Sequence, residues 1–308
     1  MVQGKSKPRK KVVSLLPSAT EIVNSLGCGD WLVGRSHECD YPPGVSALPV
    51  CTAPRLDLGG TSADIDRKVK DAVRDAAAVY QVLDDVLKDL APDVIITQDQ
   101  CKVCAVSLAD VEAAVCAWTG QSTKMLSLKP MTLSDVIGDI GRVADALGVH
   151  DDGARGQAAL RARADALTVK PQGTRPRVAC IEWTDPLMAA GNWVPELVDI
   201  AGGADIFGRP GDHPPWITWG DLKAADPDIV VFMPCGFGLE RTAAEARAMI
   251  DRFPDVAQMT AAKLGRVYAT DGNAYFNRPG PRLVDSIEIL RRIISDDRMH
   301  PGSIQIPV

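Results

Sequence analysis

Two short motifs bring together side chains that bind metals. His37 and Cys39 are separated by one residue, and Cys101 and Cys104 are separated by two. Imidazole and thiolate groups suit Zn²⁺ or an iron–sulfur cluster, so these residues predict a metal site. The same donors also suit the cobalt or iron of a bound chelate. The alternatives are a redox-active thiol pair, or small loop and core thiols beside a hydrogen-bonded histidine.

Tryptophan is concentrated in the second half of the chain. Aromatic residues make up only 5% of the sequence, yet four of the six tryptophans lie close together in it: Trp183, Trp193, Trp216 and Trp219. Broad aromatic faces suit stacking against a flat ligand, and they equally suit packing in a core. The pattern predicts a stacking surface, with core packing as the alternative.

No catalytic motif accompanies these residues. No spacing demands acid–base chemistry among the carboxylates and imidazole of the second half, which are Glu182, Asp185, Glu196, Asp212 and His213. The turn at 234–241 has two glycines before a helix and could hold an anionic or amide group, but it lacks the lysine of a phosphate loop. Cys235 in that turn would need a neighbouring base to act as a nucleophile. The sequence therefore predicts a binding protein rather than an enzyme.

The composition is typical of a globular protein that does not bind nucleic acid. The 308 residues are 46% hydrophobic and 24% charged, and the net charge is -6. No apolar run approaches the roughly 18 residues that a membrane span requires. Eight cysteines are too few in a chain of this length for a disulfide scaffold.

The amino-terminal segment predicts where the protein resides. Residues 1–10 are a basic tail, and the apolar run at 12–16 is too short for the core of a signal peptide and is needed as the first strand. We therefore expect a cytoplasmic protein, and a periplasmic one only if a signal peptide has been removed from the chain.

The two halves of the chain follow one plan. Residues 11–27 and 177–203 each combine a buried strand, a turn and a helix. Residues 90–97 and 225–232 each combine a helix end broken by proline with a buried strand. The repetition predicts an α/β fold of two similar Rossmann-like lobes, at 11–148 and 171–308. Residues 149–170 are rich in alanine and arginine, and they predict a single long rigid helix that joins the lobes.

Local signals predict the ends of several elements. Ser18 and Glu21 have the spacing of a capping box, and Gly27 predicts a left-handed helix stop. Thr132 or Ser134 is the expected cap of the helix at 132–148. In the long helix, Gly153 and Gly156 are expected to loosen the first turn. Other predicted elements are strands at 11–16, 31–34, 94–97 and 124–128, and helices over most of 64–90, at 108–119 and, after Pro281, at 283–294.

The fold plan places the ligand. In open parallel sheets a ligand binds beyond the carboxyl ends of the strands, and clefts between lobes bind small molecules. We therefore predict a ligand cleft between the lobes, lined by the loops that follow the strands. From these loops we expect ligand contacts from His37, Glu38, Gln100, Cys101, Trp183, Trp193, Trp219, Phe237 and Tyr275.

Several segments, in this order, resemble the helical-backbone class of metal-chelate substrate-binding proteins, and within it the cobalamin-binding proteins of bacterial uptake systems. They are residues 14–21, 40–43, 90–94, the alanine- and arginine-rich helix, 215–216 and 276–282. The resemblance implies two α/β lobes, one rigid connecting helix, and a flat macrocyclic or siderophore ligand between the lobes. Carried over by position, the cobalamin contacts would be Pro17, Ser18, Tyr41, Trp216, Phe276 and Arg278. Aromatic faces suit the corrin ring, and polar groups suit the amides at its rim.

The chain departs from this family at the surface that meets a transporter. Transported members dock onto arginines of an ABC permease through one acidic residue on each lobe. Asp84 and Asp85 match the first position, but the second falls at Gly220 and Asp221 and lacks a glutamate. The segment 55–80 has no clear counterpart. These departures argue against permease docking and leave the binding fold unaffected.

These observations together predict a protein that binds cobalamin or a related corrinoid as a carrier, store, sensor or uptake-linked binding protein. One alternative is a haem or iron-chelate binder. The other is an enzyme that acts on a cofactor through His37, Cys39, Cys101 and Cys104, with Zn or an iron–sulfur cluster as its metal centre.

Overall fold

The computed structural model describes residues 9–74, 79–98, 123–170, 173–296 and 302–308. The strands of the first half are β1 (Val12–Ser14), β2 (Leu32–Arg35), β3 (Thr52–Pro54), β4 (Tyr80–Val82), β5 (Val94–Gln98) and β6 (Lys124–Leu128). Its described α-helices are α1 (Pro17–Ser25), α2 (Ser62–Arg74), α3 (Asp84–Leu90), α4 (Leu133–Leu147) and α5 (His150–Leu167).

The second half continues the alternation of strands and helices. Its strands are β7 (Arg177–Thr184), β8 (Leu187–Ala189), β9 (Ala204–Asp205), β10 (Ile229–Phe232), β11 (Val267–Thr270) and β12 (Ser303–Gln305). Its described α-helices are α6 (Val194–Ile200), α7 (Trp219–Ala225), α8 (Leu239–Arg252), α9 (Thr260–Lys263) and α10 (Leu283–Ile294).

The chain forms two compact units, each with its own sheet. The first unit contains Met1–Leu58, Lys68–Pro130 and Ile137–Ala159, and the second contains Gly59–Arg67, Met131–Val136 and Leu160–Val308. The predicted fold class of two α/β lobes is confirmed. The domain boundaries, the rigidity of the connecting helix and the ligand cleft stay predictions.

The first unit is built on a parallel sheet with strand order β2-β1-β5-β6. Every residue of β1 and β5 is buried, as expected for central strands of a parallel sheet. A separate antiparallel pair, β3 and β4, lies beside β2, because Val50 bridges to Arg35 just before β3 begins. The apolar core beneath contains Val13, Leu15, Leu87 and Ile95. This arrangement brings β3 and β4 close to the loop that follows β2.

The second unit is built on a mixed sheet with strand order β12-β11-β10-β7-β8. Strand β10 is parallel to both β7 and β11, and the edge strands β8 and β12 are antiparallel to their neighbours. Strand β9 pairs in parallel with the start of β7. Its core contains Ile181, Val230, Phe232, Val267 and Ala269.

Some predicted helix ends are confirmed and others are wrong. Gly27 has a φ of 72°, which confirms the left-handed stop after α1. Thr132 caps α4, because its hydroxyl accepts from the Asp135 N–H at 3.1 Å and the Asp135 carboxylate accepts in return. The capping box at Ser18 is wrong: α1 begins at Pro17 after Leu16, no side chain caps it, and Ser18 is buried in its first turn. Proline already fits the first helical position, because it has no N–H to satisfy.

The prediction that 64–90 is largely helical is wrong in its centre. Two helices, α2 and α3, flank the strand β4, which pairs with β3 and buries Tyr80. Trp31 likewise lies in a short 3₁₀ helix, and strand β2 begins one residue later. The predicted helix at 108–119 lies outside the described residues. The predicted strand at 124–128 and the closing helix at 283–294 are confirmed.

The long helix α5 starts at His150, so its two glycines do not delay it. An added Cβ at Gly153 would lie 2.4 Å from the Cβ of Ala144 on α4. Gly153 therefore permits close approach of the two helices rather than loosening a turn. In the part of the chain that the structure describes, no helix is both long and apolar enough to cross a membrane.

Candidate functional site

The side chain of Arg35 holds the backbone of the loop that follows β2. The Arg35 guanidinium donates through Nη1 to the carbonyl oxygens of Ser36, His37 and Cys39, at 3.0, 3.4 and 3.2 Å. A second nitrogen, Nη2, donates to the Ser46 carbonyl at 3.0 Å. These bonds hold the backbone of residues 36–39 in one conformation at the carboxyl edge of the sheet. Sequence reasoning did not identify Arg35, because its role depends on carbonyl groups rather than on a motif.

A buried hydroxyl pair supports His37 from one side. The Thr52 hydroxyl donates to the Ser36 Oγ at 3.0 Å, and it lies 2.8 Å from the Nδ1 of His37. The backbone N–H of His37 also donates to the Thr52 oxygen, at 3.1 Å. Ser36 and Thr52 are 2% and 1% exposed, so the imidazole is fixed through one nitrogen against an interior polar pair.

A tyrosine from β4 covers a second side of the imidazole. The ring centroids of His37 and Tyr80 are 5.2 Å apart, with a tilt of 45° between the planes. The Tyr80 hydroxyl donates to the Glu38 carboxylate at 3.0 Å. This contact brings together His37 and Glu38, both predicted from the sequence, with Tyr80, which was hidden within a predicted helix.

The electrostatics of this pocket favour the neutral imidazole. Partial burial lowers the pKa of His37 below its ordinary value, and the positive charge of Arg35 lowers it further. Neutral imidazole is the form that binds metals, whereas the protonated form has no free lone pair. His37 is therefore in the metal-binding protonation state at neutral pH.

The thiols nearby are buried. Cys39 is 1% exposed and lies 3.1 Å from the Thr20 hydroxyl, which donates to its sulfur. Burial raises the pKa of the neighbouring Cys51 thiol to about 11, which disfavours the thiolate that a metal requires. Among the described residues, no group of three or more histidine, cysteine, aspartate or glutamate side chains could hold a metal ion. Gln100, Cys101 and Cys104 lie outside the described residues, so the four-ligand metal site stays a prediction.

The remaining predicted contacts of the first unit differ in exposure. Tyr41, in the loop after β2, is 44% exposed. Pro17 is half-buried at the start of α1, and Ser18 is 2% exposed. Tyr41 can therefore present its ring to a ligand, whereas Ser18 has almost no accessible surface.

The second unit presents one strongly exposed tryptophan. Trp216 is 54% exposed, and its backbone forms a bridge with Met188 of β8. The flanking residues are tied to the same strand, because Ile217 donates to the Leu187 carbonyl and Ala189 donates to the Pro215 carbonyl, both at 3.0 Å. The indole is thus held on an ordered backbone, and about half of the residue is exposed.

The other predicted tryptophans pack against separate partners. The ring centroids of Trp183 and Phe237 are 5.4 Å apart, and the Arg241 guanidinium lies over the Phe237 ring, 3.6 Å from its centroid. Trp219 stacks on Phe253 with a centroid distance of 4.7 Å. Phe237 is only 2% exposed, so its side chain serves mainly as the support for Arg241 and Trp183.

Two predicted contacts are core residues in this structure. Trp193 is 5% exposed, and its Nε1 donates to the Phe276 carbonyl at 2.9 Å. Phe276 is 0% exposed. The expectation of ligand contact through these two side chains is corrected to core packing, because neither ring has an accessible face.

The loop that follows β11 carries the last predicted residues. Arg278 is 6% exposed and donates to the Asn273 side-chain oxygen at 3.0 Å. The Arg282 guanidinium lies 5.5 Å from the Tyr275 ring centroid. Tyr275 also lines a cavity of about 340 Å³ together with the carboxylates of Asp271, Asp285 and Glu288. This loop is therefore polar and ordered, with Tyr275 on an accessible surface.

Comparison with known proteins shows which family shares this architecture. The sequence matches the profile of a family described as periplasmic binding protein over residues 12–274. No curated protein matches the chain. A periplasmic haem-binding protein from Pseudomonas aeruginosa is 21% identical with a TM-score of 0.69, over 97% of this chain and 98% of that one.

Two further solved structures show the same fold. A periplasmic haem-binding protein from Roseiflexus sp. RS-1 is 22% identical with a TM-score of 0.67, over 94% of this chain and 99% of that one. A periplasmic vitamin B12-binding protein from Vibrio cholerae is 18% identical with a TM-score of 0.60, over 95% and 99%. The family and these relatives are binding proteins rather than enzymes. The prediction of a cytoplasmic location gains no support, because the matched family is described as periplasmic.

Proposed function

Because the chain belongs to the periplasmic binding protein family, we propose that it binds a metal-centred tetrapyrrole, with cobalamin as the first candidate. The observation that carries this proposal is His37, whose Nδ1 lies 2.8 Å from the Thr52 hydroxyl and whose surroundings favour the neutral imidazole, the form that binds metals. Nitrogen donors of this kind suit both cobalt and iron. Binding, rather than chemistry on the ligand, is the activity.

Exposed aromatic rings support a flat ligand. Tyr41 of the first unit and Trp216 of the second are large apolar side chains that remain 44% and 54% exposed. Large exposed aromatics on an ordered backbone are typical of binding surfaces. A corrin ring offers a broad apolar face to such residues, and its peripheral amides suit backbone groups.

Haem is the second candidate, and a specific observation favours it. Two of the three solved structures compared above are described as haem-binding proteins. A neutral imidazole is also a common ligand of haem iron. The physiological role, whether carrier, store, sensor or uptake-linked binding, is part of this proposal, whereas docking onto an ABC permease is not, because Gly220 and Asp221 offer no glutamate at the second docking position.

Absorbance titration tests the proposal directly. The purified protein is titrated with aquocobalamin, whose water ligand is exchangeable, with cyanocobalamin, whose cyanide resists exchange, and with ferric haem. If His37 coordinates the metal, aquocobalamin or haem should show a spectral shift of axial imidazole ligation, and cyanocobalamin should bind without it.

The matched variants are His37→Ala and His150→Ala. His150 is exposed and paired with Asp145 on the surface, so its loss should leave binding unchanged. H37A should remove the spectral shift and weaken binding at least about tenfold, equivalent to roughly 1.4 kcal/mol. Absence of binding of all three ligands at micromolar concentration would overturn the proposal.

A further inference from the structure

We propose that residues 59–67 form a hinged strap that Glu245 holds across the carboxyl end of β7, and that the strap controls ligand access to this edge of the second unit. Both sides of the contact belong to the second unit. Neither the sequence motifs nor the family resemblance assigns a role to these residues. The control of access rests on the proposed function, whereas the contact itself can be tested in the ligand-free protein.

One carboxylate holds the first residue of α2. The backbone N–H of Ser62 donates to Oε1 of Glu245 at 3.2 Å, and the Ser62 hydroxyl is hydrogen-bonded to the same oxygen. The Thr184 hydroxyl lies 3.0 Å from that oxygen and 2.8 Å from the Ser62 Oγ. Ser62 and Thr184 are both 0% exposed. Removal of the carboxylate would therefore leave the Ser62 N–H without this acceptor at a site that water does not reach.

The helix does not need Glu245 in order to begin. Thr61 caps α2 locally, because its hydroxyl accepts from the Asp64 N–H at 3.2 Å and the Asp64 carboxylate accepts from the Thr61 N–H at 3.3 Å. This reciprocal pair has the form of a capping box and satisfies two N–H groups within the strap itself. The bond to Glu245 comes instead from α8, so it fixes the position of the helix end rather than forming it.

A glycine pair precedes the held helix end. Arg241, one turn before Glu245 on α8, donates through its guanidinium to the Gly60 carbonyl at 3.0 Å. Gly60 has a φ of 110°, a backbone conformation that favours glycine, and Gly59 precedes it. The chain passes from the first compact unit to the second between Leu58 and Gly59. Small residues at the end of an element commonly absorb the backbone rotation of a hinge, so this pair is the hinge of the strap.

The strap lies at the edge of the sheet where a ligand is expected. Thr184 is the last residue of β7, and β7 is parallel to β10, so the carboxyl ends of the two strands lie at the same edge. Ligands of open parallel sheets bind beyond that edge. Helix α8 begins after the turn that follows β10. A strap held by Thr184 and α8 therefore covers part of this edge, and its opening uncovers it.

Hydrogen–deuterium exchange of the ligand-free protein, followed by mass spectrometry, tests the contact. A released helix of 13 residues is marginal in water, so opening of the strap is measured as faster exchange of the α2 amides. In Glu245→Ala, this exchange should accelerate roughly 10- to 100-fold, because the helix end loses its carboxylate acceptor. Exchange in the buried strand β10 should not change, since the opening is local.

Glu240→Ala is the matched control. It removes an exposed carboxylate from the same helix, α8, and should leave the exchange of α2 as in the wild type. Equal exchange of α2 in E245A and E240A would overturn the proposal. Equal acceleration of α2 and β10 in E245A would also overturn it, because that result would show global unfolding rather than opening of the strap.

Ser62→Ala separates the contact from helix propensity. Alanine is the better helix former, so propensity alone predicts slower exchange of α2 in S62A. The contact predicts faster exchange, because the hydroxyl between Glu245 and Thr184 is lost. The acceleration should be smaller than in E245A, since the Ser62 N–H keeps its acceptor. Slower exchange in S62A would contradict the proposal, and this test remains decisive if E245A does not fold.

Ligand kinetics test the control of access. If the ligand enters and leaves only when the strap is open, E245A should raise the association and dissociation rate constants of aquocobalamin or ferric haem by similar factors. E240A should leave both rate constants unchanged. Unchanged rate constants in E245A, with faster exchange of α2, would contradict the control of access. Failure of the wild type to bind any of these ligands would instead contradict the proposed function, while the exchange experiment still decides whether Glu245 holds the strap.

Discussion

His37 and Asp205 are two partly buried titratable groups whose surroundings favour the neutral form. For His37, this leaves a lone pair available to a metal. Asp205, at the end of β9, accepts from the backbone N–H groups of Phe207 and Gly208 through Oδ1, while its buried Oδ2 has no hydrogen-bond partner among the described residues. Burial raises the pKa of Asp205 to about 6, because the hydrogen bonds at one oxygen only partly offset the loss of hydration. The same physical effect therefore favours the neutral form of both residues, and at Asp205 it predicts pH-dependent stability.

The first prediction concerns Asp205→Asn. A carboxyl whose pKa is raised by folding contributes stability at low pH, and this contribution is lost as pH rises through the folded pKa near 6. Relative to D205N, the wild type should therefore lose roughly 2 kcal/mol of unfolding free energy between about pH 4.5 and 7.5. Urea denaturation of both proteins at each pH measures this change. Any effect of the asparagine amide on stability that does not vary with pH cancels when the difference is compared between pH values.

Asp221→Asn is the matched control with the opposite sign. The Thr218 hydroxyl and N–H donate to the Asp221 carboxylate in the capping box of α7, and they lower the pKa of that exposed group. Its contribution is present above the unfolded pKa and is lost as pH falls. The unfolding free energy of D221N should therefore fall furthest below that of the wild type at neutral pH. A D205N difference that does not vary with pH would show that Asp205 is ionised in the fold as it is in the unfolded chain.

At the scale of elements, the close approach of α4 and α5 depends on glycine. Gly153→Ala would place a Cβ 2.4 Å from that of Ala144, although alanine is the better helix former. Gly138, also inside a helix, has open space where its Cβ would lie. We expect G138A to stabilise the protein by roughly 0.5–1 kcal/mol and G153A to destabilise it by about 1–3 kcal/mol. Thermal and urea unfolding of the two variants measure this, and equal stabilisation by both would contradict the packing argument.

Elements were predictable where local signals and burial agree. The runs at Val94–Gln98 and Ile229–Phe232 are mainly apolar and fully buried, and each follows a helix end broken by proline, so sequence and structure coincide. Strand β4 was missed because its pairing with β3 is a tertiary interaction that overrides the local helical pattern. Thr52 and Tyr80 could not be predicted for the same reason, since their position beside His37 depends on that pairing. The predicted residues His37 and Glu38 were accessible to sequence reasoning because they share one short loop.

At the scale of the whole molecule, the two units differ in what they offer a ligand. The first presents the imidazole of His37 within a hydrogen-bonded loop, and the second presents Trp216 on a segment that bridges to the edge strand β8. The clustering of tryptophans in the sequence suggested one stacking surface, but packing assigns different roles to them. Trp193 is 5% exposed in the core, whereas Trp216 is 54% exposed. The unfolding free energy of alanine variants can therefore distinguish a tryptophan that packs in the core from one that is exposed to a ligand.

The last prediction uses this difference. Trp193→Ala should lower the unfolding free energy of the ligand-free protein by about 3–5 kcal/mol, because it empties a buried site. Trp216→Ala should leave the ligand-free protein within about 0.5 kcal/mol of wild type, because most of the ring is already in water. A ligand at 100 times its dissociation constant should stabilise the wild type by about 2.7 kcal/mol. If Trp216 stacks on that ligand, W216A should lose much of this stabilisation at the same ligand concentration, as measured by thermal unfolding with aquocobalamin or ferric haem. If the ligand stabilises W216A as much as the wild type, Trp216 does not contact the ligand. The core role of Trp193 is tested independently by the unfolding free energy of W193A.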